Sequence, residues 1–193
     1  MMQTTPMLHS TTHATPVGTL TLVASDRGLR AVLWPKLSPQ RAGISLRPHR
    51  NPDHPILQKT AQQLDEYFAG SRTSFDVPLD LEGTRFQLAA WRSLADIPFG
   101  ATTTYGRQAA SLGTPTAARA VGAANGANPV CIVLPCHRVI GADGSLTGFG
   151  GGLPTKQWLL DHEAQVVSTR TIVSTPSWPL RQPVQTRLSM PVA

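Results

Sequence analysis

The first half of the chain alternates short apolar runs with polar turns. Residues 20–24 and 29–34 are apolar or β-branched, and Asp26-Arg27-Gly28 between them predicts a β-hairpin. Residues 35–55 contain five prolines, which is typical of a long loop. Apolar positions over residues 56–68 then recur near helical spacing, so this half is predicted to be a small domain of strands and one helix.

The second half has the periodicity and capping signals of short helices. Thr84 and Gln87 form a capping box before the first of them, and Thr104 is placed to cap a second. Thr114 is placed to cap a third helix, which has Pro115 at its first position and runs to about residue 124. Two short helices joined by a tight glycine turn are typical of a helix-turn-helix motif.

The third helix consists almost entirely of alanine and glycine, with Arg119 as its only long polar side chain. Two interpretations of this composition stay open. A helix of small residues can pack closely in a core, or it can approach a nucleic-acid surface closely while Arg119 projects from it.

The last part of the ordered chain contains the candidate chemistry. Residues 130–134 form an apolar run that predicts a buried strand, which Pro135 ends. Cys136 follows at the end of that strand, where catalytic groups are often presented. The glycine-rich residues 148–152 suggest a mobile wall, and residues 154–163 are predicted to form a final helix.

Composition favours a globular protein with polar ends. The chain has 193 residues, 40% of them hydrophobic, which suits one or two domains with a core and excludes a fibre. The pattern predicts a disordered arm over residues 1–15, an α/β domain over 16–82, a mainly helical domain over 83–163 and a disordered tail over 164–193. The net charge is +6, and half of it lies in the tail, which has three arginines and no acidic residue.

Several functional classes are disfavoured. No apolar stretch approaches the roughly 18 residues of a membrane span, and the first ten residues lack the basic and apolar regions of a leader, so a cytoplasmic protein is predicted. Cys131 and Cys136 do not have the spacing of a redox pair or a zinc half-site, and Cys131 is assigned to the core. No metal or other cofactor is predicted, because metal-ligand spacing is absent among His9, His13, His49, His54 and His162.

Cys136 is the candidate nucleophile. A cysteine attacks as its thiolate, which at neutral pH needs a basic or cationic neighbour. His137 is adjacent in sequence, but consecutive side chains of a strand point to opposite faces. Pro135 must therefore turn the chain if the two groups are to cooperate, and a chance Cys-His pair remains the alternative.

The residues around Cys136 carry a family resemblance. Pro135-Cys136-His137-Arg138-Val139-Ile140 resembles the active-site signature of the O6-alkylguanine-DNA alkyltransferases. The resemblance covers about residues 84–163, whereas the first half matches only weakly. Further motifs similar to the family in order and spacing are Phe86-Gln87, Trp91, Ile97-Pro98-Phe99-Gly100, Thr104-Tyr105-Gly106, Ala117-Ala118-Arg119-Ala120-Val121-Gly122, Asn128-Pro129 and Lys156-Gln157-Trp158-Leu159-Leu160.

The resemblance implies a fold and an activity. The fold is α+β: an N-terminal ribonuclease-H-like α/β domain, then a mainly helical domain with a winged or helix-turn-helix DNA-binding motif. The activity is direct-reversal repair, in which Cys136 takes the alkyl group from O6-alkylguanine, and also from O4-alkylthymine, in one irreversible step. The implied partner is double-stranded DNA bound through its minor groove by a monomer.

The resemblance also implies roles for individual residues. His137, acting through a water and backed by Glu163, would hold and relay the proton of Cys136. Tyr105 would donate a hydrogen bond to the flipped base, and Arg119 would fill the place that this base leaves in the stack. Asn128 would hold the turn beneath the cysteine, while the backbone of Val139 and Gly150 would contact the base edge.

Some features depart from the family or leave other functions open. Phe149 stands where the family commonly has tyrosine, which affects the expected rate and adduct preference. The presence of Cys136 argues against the alkyltransferase-like proteins that only bind lesions, and no cysteine-rich zinc domain supports a transcriptional role. Two further classes remain as alternatives: a non-catalytic helix-turn-helix DNA binder and a cysteine hydrolase.

Overall fold

The N-terminal part of the protein is a four-stranded sheet. The computed structural model describes residues 7–35, 44 and 47–174, and all structural statements concern these residues. The sheet order is β3-β2-β1-β4, with β1–β2 and β2–β3 antiparallel and β4 parallel to β1. The strands are β1 (His9–Thr15), β2 (Gly18–Ser25), β3 (Gly28–Leu33) and β4 (His49–Arg50). The predicted hairpin around residues 26–28 is confirmed as β2–β3.

The prediction of a disordered arm over residues 1–15 is wrong for residues 9–15. These residues form β1, which pairs with β2 from His9 opposite Ala24 to Thr15 opposite Gly18. The segment is rich in threonine, whose β-branched side chain suits an extended strand, and the ladder satisfies its backbone polar groups. Residues 1–6 lie outside the described part of the chain.

One helix covers the sheet, as the periodicity predicted. Helix α1 (Pro55–Phe68) buries Leu57, Leu64 and Tyr67 among other side chains. It has proline in its first turn, and Gly70 follows its end with φ of +73°, a left-handed conformation that favours glycine. Of the predicted loop over residues 35–55, the described part includes β4, while residues 36–43 and 45–46 lie outside it.

The C-terminal part is mainly helical, as predicted. Its helices are α2 (Arg85–Ser93), α3 (Tyr105–Ser111), α4 (Ala118–Gly126) and α5 (Leu153–Ser174), and its strands β5 (Thr103–Thr104) and β6 (Val139–Ile140) pair in parallel. The capping box of Thr84 with Gln87 is confirmed, and the Thr104 hydroxyl accepts a hydrogen bond from the Arg107 amide at the start of α3.

The start of α4 differs from the prediction. Thr114 does not cap this helix: it opens a turn in which its carbonyl accepts a hydrogen bond from the Ala117 amide, and α4 begins only at Ala118. Pro115 is the second residue of that turn. The fixed φ of proline suits this position as well as the first position of a helix, so the same residue is compatible with both structures. Helices α3 and α4 with the intervening turn still form the predicted helix-turn-helix pattern.

The last helix is much longer than predicted. It was expected to end at residue 163 before a disordered tail, but α5 continues to Ser174. Its extension packs on glycine turns of both halves: Val166 lies against Gly70, and Val167 against Gly100. The Arg170 guanidinium also donates hydrogen bonds to the carbonyls of Gly70 and Ser71, at 2.8 and 3.0 Å. Residues 175–193 of the predicted tail lie outside the described residues.

The larger of two buried hydrophobic clusters in the described part of the chain joins the two halves. It extends from strand residues such as Leu20 and Leu29 through α1 to Trp91 and Val130. The Val32 amide in β3 donates a hydrogen bond to the Pro129 carbonyl at 2.8 Å, which links the sheet to the segment just before the signature. None of the helices in the described ranges is long and apolar enough to cross a membrane.

Candidate active site

The segment before Cys136 is a tight turn, so the prediction of a strand over residues 130–134 is wrong. The Leu134 amide donates back to the Val130 carbonyl at 3.0 Å, and Ile132 has φ of +74°. A left-handed β-branched residue is strained and persists only where the surroundings demand it. An apolar run shows burial but cannot distinguish a strand from a buried turn.

Asn128 holds this turn together. Its side-chain amide donates to the Leu134 carbonyl at 2.8 Å, and its side-chain oxygen accepts from the Val130 amide at 3.1 Å. The two hydrogen bonds close the loop from both ends, and the side chain is itself buried. The structure places Asn128, which the resemblance implies would hold the turn beneath the cysteine, at the turn that leads into Cys136.

The turn leads directly into one turn of 3₁₀ helix at Cys136–Arg138. All three side chains are buried, with Cys136 5% exposed and His137 0%. Successive residues of a 3₁₀ helix differ by about 120° rather than the 180° of a strand. The bend after Pro135 therefore removes the geometric obstacle to cooperation between Cys136 and His137.

Glu163 on α5 joins several elements at one buried carboxylate. It accepts hydrogen bonds from His137 Nε2 at 2.8 Å, from Arg138 Nε and Nη2 at 2.9 Å, and from the Tyr67 hydroxyl at 2.8 Å. The Gly100 amide donates at 2.9 Å to Oε2, the oxygen that also accepts from Arg138 Nε. Burial alone would raise the pKa of Glu163, but the hydrogen bonds from His137 and Arg138 outweigh burial and lower it to about 2.

These contacts determine which nitrogen of His137 is basic. Burial lowers the pKa of His137 despite the opposing effect of Glu163, so the ring is neutral at neutral pH. An ionised carboxylate can only accept, and Nε2 therefore carries the hydrogen and Nδ1 the lone pair. Nδ1 is buried and has no hydrogen-bond partner among the described residues, which leaves it available as a base.

The surroundings of Cys136 favour its thiolate. The Cys136 thiol donates to the Cys131 sulfur at 3.9 Å, and once Cys136 is ionised the Cys131 thiol can donate to it instead, which lowers the pKa of Cys136. Burial opposes this shift, whereas Asn128 and the positive charge of Lys156 reinforce it. The pKa of Cys131 is raised by the same pairing, so Cys136 is the sulfur that ionises first.

Lys156 holds the segment around the glycine-rich wall in place through hydrogen bonds. Its ammonium group donates to the carbonyls of Val139 and Thr147, at 2.6 and 2.8 Å, and the side chain is fully buried. The same Thr147 carbonyl accepts a hydrogen bond from the Tyr105 hydroxyl at 3.3 Å. Lys156 therefore connects β6 with the glycine-rich wall that ends at residue 152.

A cavity of about 660 Å³ opens beside this wall. It brings together three of the predicted substrate-binding residues: Tyr105, Arg119 and Gly150. The other predicted site residues, Cys136, His137, Asn128, Val139 and Glu163, are buried and are absent from its lining. The complete lining consists of Tyr105, Ala118, Arg119, Gly122, Gly126, Thr147, Gly148, Phe149 and Gly150.

Phe149 links the cavity wall to both the sheet and the buried histidine. Its ring meets Trp34 edge-on with centroids 5.5 Å apart and lies 6.4 Å from the His137 ring. The residue that departs from the family pattern is therefore partly buried against the edge of the core, without a hydroxyl that would need a polar partner.

Four residues with clear contacts in the site were given no role from the sequence. Arg138 and Lys156 lie inside motifs that resemble the family, so the signal was present. Cys131 was assigned to the core because a single strand cysteine usually behaves as a small hydrophobe. Tyr67 lies 96 residues before Glu163 and in the other half of the protein, and no local pattern connects the two.

Comparison with known proteins relates both halves of the chain to one family. The DNA-binding domain model of 6-O-methylguanine DNA methyltransferase matches residues 85–165, and the ribonuclease-like domain model of the same protein matches residues 8–81. The chain is 47% identical over 157 residues to the methylated-DNA–protein-cysteine methyltransferase of Mycobacterium tuberculosis, covering 81% of this chain and 93% of the relative. It is 43% identical over 148 residues to the protein of that name from Methanosarcina acetivorans, covering 77% and 93%.

Solved structures agree with the fold. The crystal structure of Mycobacterium tuberculosis OGT in complex with DNA superposes with a TM-score of 0.76 and 43% identity, covering 82% of this chain and 94% of that one. The structure of the O6-methylguanine methyltransferase from the same organism gives 0.74 and 45%, with the same coverage. Both domain models, the relatives and the two-domain α+β fold lead to one conclusion: the chain belongs to the 6-O-methylguanine DNA methyltransferase family.

Proposed function

We propose that this protein repairs O6-alkylguanine in DNA by moving the alkyl group to Cys136. The observation that carries the proposal is the buried group of Cys136, the adjacent His137 and Glu163, in which Glu163 accepts a hydrogen bond from His137 Nε2 and His137 Nδ1 is left without a partner among the described residues. A nucleophile, a base and a group that orients the base are the parts of an activated-nucleophile site. The family relatives are named for transfer to a protein cysteine, which agrees with this arrangement.

The chemical step uses the neutral His137 ring as the base. Nδ1 takes the thiol proton of Cys136 through a water, and Glu163 stabilises the imidazolium that forms. The thiolate attacks the alkyl carbon, so that a sulfur–carbon bond forms while the carbon–O6 bond breaks and its electron pair goes to the base. The relayed proton then neutralises the departing guanine.

The product explains why each molecule would act only once. A thioether at Cys136 does not regenerate the thiol under the conditions that form it, because a thiolate is a poor leaving group from an alkyl carbon. The reaction is then stoichiometric, and the protein is consumed. O4-alkylthymine presents the same alkyl–oxygen bond beside a ring nitrogen and is proposed as a second substrate.

The open cavity is proposed to receive the flipped nucleotide. Tyr105 supplies a hydroxyl at the cavity edge, and the backbone of Val139 and Gly150 offers hydrogen-bonding groups to the base. The Val139 carbonyl accepts from Lys156 and has a second lone pair available. Asn128 keeps the turn beneath the cysteine in place.

Helix α4 is proposed to enter the minor groove as part of a monomer. Ala118, Gly122 and Gly126 lie along the cavity and have little or no side chain, which permits a close approach to DNA. Arg119 is exposed among them and would occupy the space left in the base stack. We expect the reaction in the compartment that contains DNA, which in a bacterium is the cytoplasm with its nucleoid.

Intact-mass measurement after mixing with an O6-methylguanine duplex tests the proposal. The expected result is a gain of one methyl group per protein, mapped to the peptide that contains Cys136, with no gain for Cys136→Ser. A DNA binder without catalysis would form a complex but no adduct, and a cysteine hydrolase would release product repeatedly. Transfer to Cys131, or turnover beyond one per protein, would contradict the proposal.

A further inference from the structure

A second group of titratable side chains lies on the N-terminal sheet. It joins His9 on β1, Asp26 in the turn between β2 and β3, and His54 immediately before α1. The Nε2 atoms of His9 and His54 lie 3.8 and 3.5 Å from the same oxygen, Oδ1 of Asp26. The ligand atoms of this His9–Asp26–His54 cluster all lie within 4.8 Å of one another.

These distances suit a shared metal ion. Zinc binds imidazole nitrogen and carboxylate oxygen at about 2.0–2.2 Å, so neighbouring ligand atoms of a tetrahedral site lie about 3.4 Å apart. The distances to Asp26, 3.8 Å from His9 and 3.5 Å from His54, are at or slightly above that value. Asp26 has an 82% exposed side chain in a turn, so it can move inward without disturbing the core.

His54 is the buried member of the cluster. It is 7% exposed, and Nε2 is the ring nitrogen that lies near Asp26. Its ring stacks on the His9 ring with centroids 4.6 Å apart and an interplanar angle of 24°. Two stacked imidazoles would repel each other if both were protonated, whereas two neutral rings can donate lone pairs to one cation.

Asn51 is placed to support the metal-bound form of His9. Its side-chain amide lies 3.4 Å from His9 Nδ1, the ring nitrogen that faces away from Asp26. When Nε2 binds a metal, Nδ1 carries the hydrogen and needs an acceptor. A half-turn of the Asn51 amide supplies its oxygen at the same place, which is the usual outer partner of a metal-bound histidine.

We propose that the His9–Asp26–His54 cluster binds a divalent transition-metal ion, for which Zn²⁺ is the best-suited common example. Two imidazoles and one carboxylate favour zinc and its neighbours over Mg²⁺ and Ca²⁺, which prefer oxygen ligands. The ion would tie β1, the hairpin turn and the start of α1 together. None of the three residues lines the cavity, so the site stabilises the N-terminal sheet and takes no part in the transfer step.

The test is a titration of chelator-treated, full-length protein with ZnCl₂, followed by calorimetry. We expect one ion per chain and no comparable binding of Mg²⁺. Asp26→Asn keeps the size of an exposed turn residue and should weaken zinc binding tenfold or more, as His9→Gln should; even loss of an outer partner typically costs 10- to 100-fold. His13→Gln is the matched control on the same strand, since His13 is already paired with Asp65 at 2.8 Å, and it should bind like the unmodified protein.

Two further measurements keep the result unambiguous. The sulfurs of Cys131 and Cys136 are also potential ligands, so Co²⁺ is bound and its absorption recorded: nitrogen and oxygen ligands give no thiolate charge-transfer band. Zinc should also raise the melting temperature of the unmodified protein but not that of Asp26→Asn. Methyl transfer by Asp26→Asn should be unchanged, which separates this site from the proposed function.

Three outcomes would overturn the proposal. They are equal zinc binding by Asp26→Asn and the unmodified protein, a cobalt spectrum with thiolate ligation, and no zinc binding in the titration. The test can be decided from Asp26→Asn alone if His9→Gln folds poorly, because Asp26→Asn alters only an exposed side chain.

Discussion

The candidate site has a buried half and an open half. The buried half consists of residues 136–138 and Glu163 and is enclosed by protein groups. The open half consists of Tyr105, Arg119 and residues 147–150 and borders solvent. Glu163 accepts charge-assisted hydrogen bonds from elements of both parts of the fold. Tyr105, by contrast, has a hydrogen bond of 3.3 Å to an exposed loop carbonyl. Low dielectric strengthens the first set of bonds, while solvent weakens the second.

This difference assigns separate tasks to the two halves. The buried half must keep a base and a nucleophile in fixed orientation, and preorganised groups cost no rearrangement at the moment of reaction. The open half must admit a nucleotide that leaves a DNA stack, so its walls cannot be closed by protein contacts. Changes in the buried half should therefore affect every substrate, and changes in the open half only substrates that must be flipped.

The largest effect is expected for Glu163→Gln. The change leaves the Arg138 guanidinium buried without its anion, and removing one partner of a buried ion pair lowers the free energy of unfolding by about 3–5 kcal/mol. The rate should fall roughly 10²- to 10⁴-fold on both a duplex and a free O6-benzylguanine base, because a neutral amide no longer stabilises the imidazolium of His137. Urea unfolding and single-turnover kinetics measure the two effects.

Glu66→Gln is the matched control for that substitution. Glu66 is a carboxylate bonded to Arg72 at the surface of α1, where solvent screens the ion pair, so its loss should change neither the unfolding free energy nor the rate appreciably. A loss confined to duplex substrate in Glu163→Gln would show that the buried half does not act as a unit.

Acid should destabilise the protein in two steps. The pKa of Glu163 is about 2 in the folded state against about 4.3 when unfolded, so its contribution, on the order of 3 kcal/mol, is full above pH 4.3 and is lost as the pH falls toward 2. The lowered pKa of His137 adds an earlier loss below about pH 6.5, because only the unfolded state takes up that proton. Unfolding free energies at several pH values test this, and an identical slope below pH 4.3 in Glu163→Gln would contradict the assignment.

Arg119→Ala should separate the open half from the buried half. Flipping costs a few kcal/mol, and losing about 2 to 3 kcal/mol of compensation would slow repair of a duplex roughly 30- to 150-fold. A free O6-benzylguanine base needs no flipping, so its reaction should stay within about a factor of three. Arg92→Ala removes the same charge from an exposed position on α2 and is the control for electrostatic attraction. Equal losses on both substrates would mean that Arg119 supports the structure of the site instead.

The smallest effect is expected for Cys131→Ala. Without the hydrogen bond from Cys131 the pKa of Cys136 rises, and the thiolate fraction at neutral pH falls. The reaction should slow roughly 3- to 10-fold at pH 7, which is a pKa change of up to about one unit. The difference in rate between the variant and the unmodified protein should vanish at alkaline pH. Cys131→Ser keeps a hydrogen-bond donor, so its rate at pH 7 should lie between the rates of Cys131→Ala and the unmodified protein. Slowing that is independent of pH would indicate a packing defect.

Local signals explain where the sequence predicted the structure well. The hairpin around residues 26–28 and the capping box at Thr84 depend on residues within a few positions of one another, and both are confirmed. The signature at residues 135–140 identified the family that the comparisons show. Errors arose where one local pattern fits two structures: Pro115 suits a turn or a helix start, and the run over 130–134 suits a strand or a buried turn.

The sequence by itself determined the family, the candidate nucleophile and most helix starts, because each rests on neighbouring residues. Only the tertiary structure decided that Tyr67 reaches Glu163, that residues 9–15 complete the sheet, and that α5 continues past the signature domain. It also brought His9, Asp26 and His54 together from three separate segments. These contacts depend on how elements that are distant in the sequence pack together. The spacing of residues along the chain therefore does not show which groups will contact or hydrogen-bond one another.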